Sequence, residues 1–73
     1  MDRLDILNEI GARIKCIRTA KHISQKDLAF MCDFEKASMS RIESGNTNMS
    51  ILTLLKICDA LGLTLKDFFN WKI

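Results

Sequence analysis

Apolar residues in this chain recur every three or four positions. No window alternates apolar and polar residues with the period of two that a half-buried strand needs. A chain patterned in this way can bury its apolar surface only by packing helix on helix. Leu4, Leu7, Ile10, Ile14 and Ile17 form the first stripe and predict a helix from about Leu4 to Lys21. Asp2, Asp5 and Glu9 fall toward its start and Arg18 and Lys21 in its last turns, as the helix dipole favours. There is no proline, so glycine and small polar residues mark the boundaries. Ser24 followed by Asp27 is a capping-box variant that opens a second helix to about Met31, with Leu28, Ala29 and Met31 as its apolar positions. Cys32-Asp33-Phe34 is a short turn. A third helix runs from about Glu35 to Glu43 or Ser44 with Met39 and Ile42 inward, and Gly45 ends it. After the polar loop Asn46-Thr47-Asn48, Ser50 caps a fourth helix that is expected to bury Ile51, Leu54, Leu55, Cys58 and Leu61 and stops at Gly62. Thr64 caps a fifth helix, Leu65 to Phe69, and residues 70–73 are left as a tail. The expected fold class is all-α, five short helices in a single compact domain over residues 1–73.

Size and composition remove most function classes. A chain of 73 residues hides only about 60% of its unfolded surface. It leaves no room for a second domain, and no pocket of the several hundred cubic ångströms that a small-molecule substrate usually occupies is expected. An apolar fraction of 48% at a net charge of +2 is too high for a disordered chain. No apolar run approaches the roughly 18 residues of a membrane span. The N-terminus, Met-Asp-Arg-Leu-Asp, lacks the basic flank and apolar stretch of a signal peptide, so the expected compartment is the cytoplasm. Cys16, Cys32 and Cys58 form an odd set without a C-x-x-C pair, against both a disulfide framework and a zinc ribbon. All three read as small core hydrophobes. His22 is the sole histidine. No Ser-His-Asp set, paired catalytic carboxylates, phosphate-cradling Gly-rich loop or metal-ligand spacing is present. The expectation is therefore no enzyme, no cofactor and no metal.

Function is carried by the middle of the chain. Two short helices separated by a turn of three or four residues, within about residues 24–44, have the helix-turn-helix layout in which the second helix enters the DNA major groove. Arg13, Lys15, Arg18, Lys21 and Lys26 place five cations and no acid between residues 13 and 26, while the remaining residues sum to −3. Such a cluster suits DNA phosphates. By spacing, Lys36, Ser40 and Arg41 share one stripe of the third helix, opposite Met39 and Ile42. Arg41 can take guanine O6 and N7 bidentately, Lys36 can reach guanine or phosphate, and Ala37 can meet a thymine methyl. Ser38 is placed for a base or a phosphate. Asn46, Thr47 and Asn48 are small polar donors suited to phosphate. Three of the five aromatics, Phe68, Phe69 and Trp71, fall in the last six residues. A five-residue helix cannot bury all of them together with Ile73, so they are expected to form an isologous homodimer contact.

The ordered positions Ile17-Arg18, Ser24-Gln25, Leu28-Ala29, Met39-Ser40-Arg41-Ile42-Glu43-Ser44-Gly45, Leu54-Leu55-Lys56-Ile57 and Ala60-Leu61-Gly62-Leu63 resemble the Cro/CI-like, or XRE-type, helix-turn-helix repressor domains from about Ile10 to Phe69. The resemblance implies a five-helix repressor-like fold that binds double-stranded operator DNA as a homodimer. It also implies an internal ion pair between Arg18 and Glu43, and a phosphate contact from Gln25. This sequence departs from the pattern at Asp33, where the family usually has glycine, and at Glu35, where a Ser or Thr usually caps the third helix. Phage and plasmid repressors, restriction–modification controllers and antitoxins share these features. The alternative function is an antitoxin or other protein-interaction module whose partner is a toxin. Neither reading involves a membrane.

Overall fold

A computed structural model of the chain describes residues 2–71. Its helices are α1 (Arg3–Ala20), α2 (Gln25–Met31), α3 (Lys36–Glu43), α4 (Ile51–Leu61) and α5 (Leu65–Phe68). Among the described residues there is no strand. The starts follow from capping chemistry. Asp2, Ser24, Ser50 and Thr64 each accept a hydrogen bond from the backbone N–H three residues on, satisfying a donor that the helix itself leaves open. Glu35 precedes α3 in the same extended conformation but makes no side-chain cap bond.

The ends follow from backbone handedness. His22, Asp33, Gly45 and Gly62 all have positive φ, between 58° and 77°. Each lets the next residue's N–H reach back to an orphan carbonyl: Ile23 to Arg18, Phe34 to Ala29, Asn46 to Arg41 and Leu63 to Cys58, at 2.8 to 3.1 Å. Glycine takes this conformation freely, whereas a side chain costs about 1–2 kcal/mol, less for Asp. Asp33 is exposed, and among the described residues its side chain makes no hydrogen bond. Asp33→Gly is therefore expected to stabilise the fold by about 0.5–1 kcal/mol. The gain should appear as a thermal midpoint several degrees higher by circular dichroism; a lowered midpoint would contradict strain at this turn.

The core is built from Ile14, Leu28, Met39, Leu54, Ile57, Leu61, Phe68, Cys32 and Cys58, all at 2% exposure or less. Burial pushes both the Cys32 and Cys58 thiols up, and the neighbouring Asp59 adds to the rise at Cys58 while Lys56 opposes it at Cys32. Both therefore stay protonated in the fold. Their contribution to stability is complete below the ordinary thiol range and is lost only as alkali approaches the raised values.

Several sequence expectations need correction. Cys16 is exposed. It lies about 200° round the helix from Ile14, on the face opposite the core. Leu4 is 62% exposed, so the buried stripe of α1 starts at Leu7 and continues through Gly11, Ile14 and Arg18. In α4 the buried residues are Leu54, Ile57, Cys58 and Leu61. Ile51, in the first turn, and Leu55, off that line, face outward, and Ile57 takes the inward place. Met31 on α2 is also exposed, beside Phe30 at 85%. Of the tail, Lys72 and Ile73 lie outside the described residues.

Candidate nucleic-acid interface

α2 and α3 pack together, and Ala29, 1% exposed, is buried in the same cluster as Leu28, Met39 and Ile42. The turn between them is fixed by buried Cys32 and by left-handed Asp33. Phe34 packs against the core with Lys56 Nζ over its ring at 5.3 Å. With Met39, Ile42 and Glu43 buried, α3 presents Lys36, Ala37, Ser40 and Arg41 to solvent. At about 100° per residue these four span an arc of about 140°, so they lie on one side of a helix, the element that a major groove admits.

Buried charge sets the pose of α3. Arg18 Nε donates to Glu43 Oε2 at 2.7 Å and Nη2 to Glu43 Oε1 at 3.0 Å. Its third nitrogen, Nη1, donates to the Ile23 carbonyl at 2.9 Å. Gln25 Nε2 donates to the same Glu43 Oε1 at 3.1 Å. One carboxylate at the end of α3 therefore ties down α1 and the start of α2, while Arg18 adds the α1–α2 turn. The guanidinium fork makes that arrangement directional. Gln25, expected to hold a phosphate, has one of its amide protons committed inward; the other remains for an outside acceptor.

Gly11 was not singled out from the sequence, yet it decides how close α1 and α3 come. A Cβ there would lie 2.5 Å from the Ile42 carbonyl oxygen and nearer still to that of Glu43. Gly45 has a related role. It combines φ of +77° with a close approach to Asn8 that a side chain would block. The signal for Gly11 was available: an isolated glycine inside a helical pattern usually marks close packing.

The remaining candidates separate into two places. Ser38 and Arg41, with Arg41 Nη2 3.5 Å from Ser38 Oγ, line an open cleft of about 470 Å³ together with Phe34, Thr47, Asn48 and Ser50. A cleft of this size was not expected from chain length; it lies between α3, the loop after Gly45 and the start of α4. Asn46 lies instead in a smaller depression beside Arg3 and Leu4 at the start of α1, which Thr47 and Asn48 also border.

The basic cluster is smaller than the sequence suggests. Arg18 is buried against Glu43. Arg13 donates to the Phe68 and Asp67 carbonyls. Lys15, Lys21 and Lys26 remain exposed and available to phosphate. Among the C-terminal aromatics Phe68 is fully buried. It belongs to the core of its own chain, which corrects its place in a dimer contact. Phe69 is 38% exposed and Trp71 half-buried.

Comparison with known proteins agrees with this geometry. Residues 13–72 match the family of Cro/C1-type helix-turn-helix DNA-binding domains. The chain belongs to that family. Within the Cro/C1-type fold, α2 and α3 are the helix-turn-helix and α3 is the helix offered to DNA. The chain is 39% identical over 62 residues to control protein C.BamHI of Bacillus amyloliquefaciens, covering 84% of this chain and 76% of that one. Its backbone is similar to the crystal structure of the restriction–modification controller protein C.AhdI from Aeromonas hydrophila, with a TM-score of 0.87 and 32% identity over 94% of this chain and 100% of the other. It is also similar, with a TM-score of 0.81 and 32% identity over 86% and 83% of the two chains, to the restriction–modification controller protein C.Esp1396I, seen as a tetramer in complex with its natural 35-base-pair operator.

Proposed function

We propose that this protein is a transcriptional controller of the restriction–modification type, a homodimer that reads a near-palindromic operator through α3. The observation that carries the reading is the exposed arc Lys36, Ala37, Ser40 and Arg41 on a helix whose pose is fixed from behind by the Arg18–Glu43–Gln25 network. Arg41 is the guanine reader, Lys36 takes guanine or phosphate, and Ala37 takes a thymine methyl. Ser38 and Thr47 act at the cleft beside Arg41, and Asn46 at the phosphates flanking it. Gln25 and the exposed lysines Lys15, Lys21 and Lys26 hold the backbone and carry the salt dependence.

The relatives support the controller role: C.BamHI and C.AhdI are control proteins, and C.Esp1396I is found on its operator DNA. Repression is the simplest output, because occupation of an operator by the DNA-reading helices is enough to block transcription. No helix among the described residues is long and apolar enough to cross a membrane, which suits work on DNA in the cytoplasm. Self-association places Phe69 and Trp71 against their copies, continuing an apolar surface that a single chain leaves open.

Selection from a library of random duplexes tests this reading. The expected product is an inverted repeat whose half-sites lie about one helical turn, or a multiple of it, apart. Recovery of no sequence above the starting pool would overturn it.

A further inference from the structure

Arg13 stands apart from the free lysines because its guanidinium reaches the opposite end of the chain. Nε donates to the Phe68 carbonyl at 3.1 Å and Nη2 to the Asp67 carbonyl at 3.3 Å. Its Cζ lies 5.4 Å from the centroid of the Trp71 ring. The element it grips needs the support. α5 has four residues, far fewer than the roughly 12–15 at which a helix holds itself together. Its last carbonyls have no partner within the helix. Arg13 supplies two donors and a positive charge at that C-terminal end, where the dipole favours a cation. The aromatic rings continue the arrangement. Phe69 and Trp71 stack at 5.3 Å and 18°, and Phe68 meets each of them edge-on at 5.2 and 5.5 Å. Phe68 is the anchor in the core, Arg13 is the clamp from α1, and exposed Phe69 with the open part of Trp71, which itself leans on the core, is the surface that remains.

We infer that Arg13 is a positioning residue for self-association: it fixes the Phe69–Trp71 pair in the form that a second copy of this chain meets. This rests on the homodimer reading above. Two of the five guanidinium N–H donors and one face of the fork are engaged on its own chain, so the residue acts through the aromatic pair that it holds. The two backbone carbonyls and the ring face together match a planar fork with a face of its own. Lysine offers only a compact single head and can replace part of the clamp.

Sedimentation equilibrium of the full chain without DNA tests the inference, with Arg13→Ala, Arg13→Lys, Phe69→Ala and the Arg13→Ala/Phe69→Ala double variant beside wild type. Trp71 is the sole tryptophan, so its fluorescence reports the clamp directly. Arg13→Ala is expected to weaken the dimer about tenfold or more, a loss of about 1.4 kcal/mol, to shift Trp71 emission to the red, and to keep a cooperative melt. Arg13→Lys is expected between the two, and it carries the test should Arg13→Ala fail to fold. The double variant is expected to be no weaker than Phe69→Ala, because both changes remove the same surface. A dissociation constant for Arg13→Ala and Arg13→Lys within about twofold of wild type overturns the role of Arg13, as do effects that multiply in the double variant. A wild type that stays monomeric overturns the homodimer reading instead, and this inference with it.

Discussion

Gly11→Ala is expected to unfold this domain at temperatures where the wild type is fully native. In an isolated helix the same change would stabilise by about 1 kcal/mol, since alanine is the best helix former and glycine nearly the worst. Here the new methyl group meets the Ile42 and Glu43 carbonyl oxygens and the Glu43 carbonyl carbon, all backbone atoms at or inside 2.7 Å. Backbone cannot rotate away, so α1 must lift off the end of α3. Overpacking of this kind costs about 1–3 kcal/mol and sometimes more, against a total stability of roughly 4–11 kcal/mol for a chain of this size. The thermal midpoint should fall by about 10–20 °C. The lift also opens the Arg18–Glu43 fork, so DNA affinity should fall at temperatures where the variant is still folded. A midpoint equal to or above that of wild type would show that α1 and α3 do not meet as described.

Glu43→Gln is expected to produce the second large loss. Glu43 and Arg18 are 4% and 9% exposed at their side chains. Removing the negative charge leaves a guanidinium buried without its counter-charge, and breaking such a pair costs about 3–5 kcal/mol. The net value of the pair is another matter, because desolvation consumes most of the attraction between its members. The double variant Arg18→Met/Glu43→Leu should therefore recover most of the stability lost by either single change in urea titrations. It should not recover DNA binding. Gln25 loses the acceptor that holds it at 3.1 Å, and the start of α2 is no longer tied to the end of α3. Recovery of stability and affinity together would mean that the pair holds the fold only and does not aim the reading helix.

Much of this was legible in the residues, for physical reasons that differ by element. α2 and α4 open where Ser24 and Ser50 stand because short hydroxyl side chains satisfy helix N–H groups, a local effect. Gly45 and Gly62 mark left-handed ends for an equally local reason. Arg18 and Glu43 were visible through family resemblance, not through spacing, since 25 residues separate them. What escaped was set by tertiary contact. Arg13 looked like a phosphate ligand beside Lys15, but α5 folds back onto it. Cys16 looked like core because cysteine usually is, but its position on α1 points away from the other helices. Phe68, Phe69 and Trp71 could not be told apart by composition; the four-residue length of α5 sends the first into the core and leaves the others partly outside. Gly11 acts through a helix more than 30 residues away in sequence, which periodicity alone cannot report.

The central claim is that α3 reads sequence and that Arg41 reads guanine. Its most direct test compares wild type with Arg41→Ala on the duplex recovered by selection and on random DNA of equal length and salt. Arg41→Ala should lose about 1–3 kcal/mol on the selected duplex and little on random DNA, with preference relaxed at one base pair in each half-site. Equal losses on both duplexes would make Arg41 a phosphate contact and contradict the account.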